Sequence, residues 1–305
     1  MKTFLLSLAC LFALLFAAPV ASAATPAALR VEVVGKKGGR PLLFIPGYVA
    51  PGELWRETAA TLGRSNQCHV FTLAGTGGAA PLALAATDSY YSAYARAIAD
   101  YVKANKLHKP VLVAHQTGGM MAMRAATDFP ELFGGLVLLE ALPAPFAVQN
   151  PRLTPDSLKL PARDKLLTMM TQMPQATFLK QQRMYINTWV TDTLQQRRVL
   201  DWAGQADRST WANIVYESMT TDLRPALPRL RVPVLLLGIY AAGKAVRPDL
   251  TAEKVKPMFE RQLAGAGAGA EVRLHDTARE FMMLDAPDWT VANIEQYLAA
   301  HPAGK

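Results

Sequence analysis

Cysteine is scarce in this chain. Of 305 residues only Cys10 and Cys68 are cysteines. Cys10 falls in an amino-terminal segment expected to be removed, so no intrachain disulfide framework and no cysteine-rich metal site are expected. Cys68 begins an apolar stretch and reads as a buried structural thiol, an exposed thiol pairing between chains being the alternative. The five histidines show no metal-ligand spacing. Long apolar runs are missing too. The longest candidate, Phe4 to Ala17, is interrupted by Ser7 and Cys10, is too short to span a bilayer and has no basic stop-transfer flank. No internal repeat is visible. The formal net charge is +8, but the basic residues are scattered as Lys36-Lys37, Arg197-Arg198 and singletons, without aromatic interleaving or a nucleic-acid motif. No nucleic-acid partner is expected, and the charge leaves room only for loose attraction to acidic lipids or polymers. Gly75-Thr76-Gly77-Gly78 lacks the Gly-Lys-Ser/Thr ending of a phosphate loop and the order of a dinucleotide fingerprint, and reads as a turn after a strand. No cofactor and no metal are expected.

What is present begins with an export pattern. Lys2 precedes the apolar stretch, Pro19 ends it, and Ala21-Ser22-Ala23 supplies small residues for cleavage. Residues 1–23 are therefore expected to be a signal peptide, with an uncleaved anchor as the alternative. The mature protein is expected to be secreted or periplasmic, with no integral membrane span. Residues 24–305 suffice for one sizeable core.

Short apolar runs rich in β-branched residues predict strands at Leu29–Val34, Pro41–Ile45, Cys68–Leu73, Val111–His115, Leu136–Glu140, Val232–Leu237 and Ala270–His275. Helical patterns lie between many of them. Glu53–Leu62 is moderately amphipathic. Tyr91, Tyr94, Ile98, Tyr101 and Val102 mark one face of a longer helix, and Gly118–Thr127 and Thr290–Leu298 continue the series. This alternation predicts an α/β fold, a mostly parallel sheet flanked by helices. The rhythm stops near Pro143 and resumes near Pro225. The intervening stretch carries Met169, Met170, Met173, Met184, Trp189, Trp202, Trp211 and Met219 with almost no strand signal, and predicts a helical cap at about 143–225. Its Met and Trp side chains either line an adaptable apolar pocket or simply pack the insertion onto the main domain.

The most informative stretch is Val111-Leu-Val-Ala-His-Gln-Thr-Gly-Gly-Met120. An apolar strand runs into a sharp turn, and a helix opens with small residues at Gly118 and Gly119. Such an elbow presents residue 116 at a strand-to-helix turn whose helix amides favour negative charge. Ala114-His115-Gln116-Thr117-Gly118-Gly119 resembles the nucleophile elbow of the α/β-hydrolase family, which usually reads Gly-His-Ser-x-Gly-Gly. Phe44-Ile45-Pro46-Gly47-Tyr48 is similar to the family's early His-Gly loop, with proline in the histidine position. The stretch from Thr277 to Pro287 is similar to one in which relatives read Ala-Arg-His-Phe. The resemblance covers most of residues 24–305 and implies the α/β-hydrolase fold with a cap. It places the nucleophile position on Gln116, the histidine position on Glu280, and the oxyanion-hole amides on Tyr48 and Thr117. The acid position falls on Glu140 in preference to Asp249, or Glu140 only braces the start of the cap.

The departures strike chemistry. A serine attacks when an imidazole takes its proton and a carboxylate orients that imidazole. The Gln116 amide is no useful nucleophile, and Glu280 as a base has no hydroxyl to activate. His115, His275, His69, His108 and His301 read as structural or solvated and do not repair the set. The leading expectation is a non-catalytic relative that binds a small apolar or amphipathic molecule, or a protein through its cap. The alternative is a hydrolase of ester or amide bonds in which a carboxylate such as Glu140 or Glu280 activates water, aided by the Tyr48 and Thr117 amides. A hydrogen bond between Gln116 and Glu280, closing the pocket, is a further arrangement the residues permit.

Overall fold

Seven short, largely apolar segments form the sheet, and their alternating side chains divide the core into two layers. The computed structural model describes residues 28–303 except 86, 159, 245 and 246. The expected signal peptide lies outside the described residues. In chain order the elements are β1 (Leu29–Gly35), β2 (Arg40–Ile45), α1 (Arg56–Leu62), β3 (Asn66–Leu73), α2 (Tyr90–Ala104), β4 (Val111–His115), α3 (Gln116–Asp128) and β5 (Gly135–Leu139). A helical insertion follows, with α4 (Arg163–Thr171), α5 (Gln175–Trp189), α6 (Thr193–Gln205) and α7 (Arg208–Thr220). The chain then returns through β6 (Val234–Ile239), α8 (Ala241–Lys244), α9 (Ala252–Leu263), β7 (Ala270–His275), α10 (Met282–Asp285) and α11 (Pro287–Ala300).

The sheet order is β1-β3-β2-β4-β5-β6-β7, parallel throughout except for β1, which runs antiparallel to β3 at the edge. Strands buried on both faces read as unbroken apolar runs. Leu43, Ile45, Leu112, Ala114, Leu136, Leu138 and Leu236 face the layer of α2 and α3. Leu42, Phe44, Val111, Val113, Val137, Leu139 and Leu237 face α1, α10 and α11. Each fully buried Leu or Val contributes on the order of 2 kcal/mol, so these central strands carry much of the stability. The edge strand β1 instead alternates half-buried with exposed residues.

Bonds on both flanks hold the insertion in place. Glu217 of α7 is buried and accepts from the Tyr90 N–H (2.6 Å), the Tyr91 N–H (3.0 Å) and the Ser89 hydroxyl (2.8 Å), filling orphan donors at the start of α2. The Asp207 N–H donates to the Gly75 carbonyl at 2.8 Å. On the other flank, the Phe281 N–H donates to the Trp189 carbonyl (2.9 Å), Arg279 donates to the Val190 carbonyl (3.1 Å), and the Thr191 N–H and hydroxyl donate to the Asp285 carboxylate (2.9 and 2.7 Å). The loop between β7 and α10 is thereby fastened to the insertion. Among the described residues no helix is long and apolar enough to cross a membrane. Cys68 is buried in the sheet, where desolvation pushes its thiol up to about 12.

Candidate functional site

The carboxyl-terminal ends of β2, β4 and β5 and the loop after β7 converge on one point. Gln116 stands at the turn between β4 and α3 with φ +50°, a left-handed conformation that costs a non-glycine residue roughly 1–2 kcal/mol. The turn is tight. A Cβ on Gly118 would collide with the Pro46 carbonyl oxygen, and one on Gly47 would come within 3.0 Å of Gln116 and of the His115 ring. Glu140, immediately after β5, also has a left-handed backbone, φ +49°. Glu280 arrives on the loop fastened to the insertion.

His115 holds that loop over the elbow. Its Nε2 lies 3.1 Å from the Glu280 backbone carbonyl, so Nε2 carries the proton and donates. The ring is buried and packs on Phe281 at 4.8 Å between centroids, and desolvation drives its pKa down to about 4. Nδ1 is left without a partner. His115 is thus a neutral structural histidine, in keeping with its place beside the elbow. Three other histidines are built into local structure, His69 pairing with the Tyr101 hydroxyl at 2.8 Å, His275 accepting from the Ala278 N–H at 3.0 Å and His301 lying 3.0 Å from the Tyr297 carbonyl, while His108 is exposed.

The two amides expected to form an oxyanion hole are already engaged. The Tyr48 N–H donates to the Thr117 hydroxyl at 2.8 Å, and the Thr117 N–H donates to the Gln116 side-chain oxygen at 3.1 Å. The Gln116 amide also leans on the Glu280 carboxyl and favours its charged form, without closing a hydrogen bond of normal geometry. The sequence-based option of a Gln116–Glu280 bond is therefore realised only as this glancing contact.

Glu140 and Glu280 face a common cavity of about 350 Å³, whose wall also includes Gln116, Thr117, Met120 and Phe259. A smaller cavity of about 80 Å³ lies on the other side of Gln116 and Glu280, against Tyr48 and Trp189. Glu140 and Glu280 are half-buried residues, and both line this cavity. Desolvation is the main cause that raises Glu280 to about 7. It also raises Glu140 to about 8, with repulsion from Glu280 adding to the shift. The Ile239 N–H, donating to Glu140 at 2.5 Å, pulls the other way. Tyr48 is half-buried near Glu280 and desolvation pushes its phenol up to about 12, while the Trp211 indole approaches the hydroxyl without closing a bond. Asp249, the less favoured acid, is exposed and paired with Lys254 at 2.7 Å, outside this arrangement.

A family model described as the alpha/beta hydrolase family matches residues 42–293. The chain belongs to that family. Solved structures of similar architecture include an esterase from Exiguobacterium antarcticum, 18% identical with a TM-score of 0.67, covering 89% of this chain and 95% of that one. An enol-lactonase from Burkholderia xenovorans LB400 is 13% identical with a TM-score of 0.67, over 89% of this chain and 95% of the other. A bromoperoxidase from Bacillus anthracis is 13% identical with a TM-score of 0.68, over the same shares. No curated protein matches the sequence. At these identities the likeness to the solved structures speaks for the fold. In this alpha/beta hydrolase-family chain the elbow position is Gln116, and Glu140 and Glu280 stand beside it. Trp189, one of the cap side chains offered as pocket lining, lines the smaller cavity, whereas Phe259 and the Thr117 hydroxyl line or fill the site without any local sequence signature that would have singled them out.

Proposed function

We propose that this protein is a hydrolase of ester or amide bonds that activates water with a buried carboxylate. The observation that carries the reading is the pair Glu140 and Glu280 on one water-accessible cavity beside the elbow. Glu280, poised near neutrality, suits a general base, a role worth about 10²–10⁴-fold in rate. Its carboxylate takes a proton from water as the water oxygen bonds to the substrate carbonyl carbon. The carbonyl oxygen becomes an oxyanion and accepts from the Thr117 and Tyr48 N–H groups once the Gln116 amide and the Thr117 hydroxyl turn away. As the C–O or C–N bond breaks, the leaving alcohol or amine takes a proton from the Glu280 or Glu140 carboxylic acid, and the products are a carboxylic acid and that alcohol or amine. The fold shared with an esterase and an enol-lactonase supports the reaction class. Export belongs to the same proposal and rests on Lys2 to Ala23; a mature amino terminus at Ala24, read by mass spectrometry of secreted or periplasmic protein, tests it.

A second reading, a non-catalytic protein that binds a small molecule, is favoured by one specific feature. Both candidate oxyanion amides are satisfied by side chains, so the elbow is self-capped. Hydrolysis of short- and medium-chain esters and amides by the mature protein separates the two. Under the hydrolase reading the unchanged protein turns over, Glu280→Gln loses at least about 100-fold, and the rate rises with pH through about 7. Folded protein that is inert across the panel, with activity gained only in Gln116→Ser/Glu280→His, would overturn it in favour of binding.

A further inference from the structure

We propose that the cavity between Glu140 and Glu280 takes a small organic cation, an ammonium group carried on an apolar body. As a statement about substrate this rests on the hydrolase reading above; as a statement about binding it does not.

The charges around the pair are one-sided. From the loop after β2 comes Tyr48, a neutral phenol; from the end of β4 comes neutral His115, spent on the Glu280 backbone carbonyl. Among the described residues the end of β6 contributes the Ile239 N–H, which donates to one Glu140 oxygen, and no described residue donates to the other. The helices add Met120 from α3, Ser218 from α7 and Phe259 from α9. Among the described residues no lysine, arginine or histidine lines the cavity. The Glu280 carboxyl lies between the two cavities and, among the described residues, receives no hydrogen bond of normal geometry. Two neighbouring carboxyls that lack a cation of their own resist ionising together, and buried charges are normally paired.

A ligand ammonium supplies what the protein omits. Its three N–H donors can be shared between the Glu140 and Glu280 carboxyls that line the same cavity. The rest of the wall is suited to a hydrocarbon body, with Met120, Leu142, Val148 and the Phe259 ring. At about 350 Å³ the space is at the small end of ligand pockets, which run ~300–1,000 Å³. Anionic substrates meet two carboxyls and are disfavoured. An amine-bearing ester or amide seated with its ammonium on Glu140 would also draw Glu280 toward the charged form that a base requires.

Calorimetric titration of the full mature protein at pH 6.5 with 2-phenylethylamine, 2-phenylethanol and phenylacetate tests this. The amine is expected to bind at least tenfold tighter than the alcohol, and phenylacetate weakest. Because the carboxyls hold protons before binding, amine binding should release about one proton, read from titrations in buffers of different ionisation heat. Glu140→Gln and Glu280→Gln, checked for unchanged melting behaviour and circular dichroism, should each cut the amine preference and the proton release while leaving alcohol binding within about twofold. Equal affinity for amine and alcohol, or amine binding with no proton release and no response to either substitution, would overturn the inference. Preferential amine binding by a protein inert to every ester and amide keeps the cation pocket and removes the hydrolase reading. Turnover of neutral esters with no amine preference does the reverse.

Discussion

Gln116 holds two roles usually kept apart. Its backbone occupies the strained turn, and its side chain covers the Thr117 N–H that the turn exposes. The strain persists because the glycines around it permit nothing else. A Cβ at residue 118 would meet the Pro46 backbone oxygen, which cannot rotate away. Gly118→Ala is therefore expected to cost about 2–3 kcal/mol, measured by urea denaturation. Gly78→Ala, with open space but a left-handed φ of +72°, should cost nearer ~1 kcal/mol. Equal losses would mean that clearance at the elbow is not what selects glycine. Gln116, Thr117, Tyr48, Glu280 and Glu140 could be named from the sequence because each sits in or after a recognisable strand or motif. The capping of the two amides could not. It depends on which way the Gln116 and Thr117 side chains rotate, and no residue pattern records a rotamer.

At the scale of elements, the strands were legible wherever both faces are buried, since continuous apolar runs mark them. Val111–His115 and Ala270–His275 fall where the pattern places them. β6 begins at Val234 instead of Val232, because Pro233 has no N–H for the ladder, and it extends through Gly238 to Ile239. Glu140 lies just past β5, its left-handed backbone ending the strand. α9 was not singled out. Its apolar stripe is thin, with Val255, Phe259 and Leu263 among charged residues, and Pro257 sits in its first turns. The attachment of the insertion was invisible for another reason. Glu217 reaches α2 across more than a hundred residues, and sequence spacing says nothing about such pairs. Glu217→Ala would leave the buried Tyr90 and Tyr91 N–H groups without an acceptor and remove the negative charge from a helix start. The expected loss is about 2–4 kcal/mol, together with earlier proteolytic cleavage within 143–225. Unchanged cleavage alongside a normal urea midpoint would show that the insertion is held elsewhere, the loop from Arg279 to Asp285 and the Asp207–Gly75 bond being further anchors.

Over the whole molecule, the site leaves a mark on stability as well as on chemistry. In the unfolded chain Glu140 and Glu280 ionise near 4.5, whereas folding holds their protons to about 8 and about 7. Across that interval the native state binds more protons than the unfolded state, so stability falls as pH rises. The contribution is complete below about 4.5 and is lost as pH passes 7 and 8. His115 works in the opposite sense. Unfolded it takes a proton below 6.5, while folded it stays neutral to about 4, so acidification between those values costs stability. Well above 6.5 His115 becomes neutral in both states, and the carboxyl effect is isolated by comparison with a variant that lacks both carboxyls and keeps every other titrating group. Between pH 6.5 and 8.5 the melting temperature of the unchanged protein is expected to decline, and Glu140→Gln/Glu280→Gln to flatten that decline. A small organic cation bound between the carboxyls should flatten it as well, because the ligand stabilises the ionised pair that high pH creates. A melting temperature with the same slope in both proteins would place the two carboxyls in ordinary solvent contact. That result would remove the desolvated pair on which both the proposed base and the cation pocket depend.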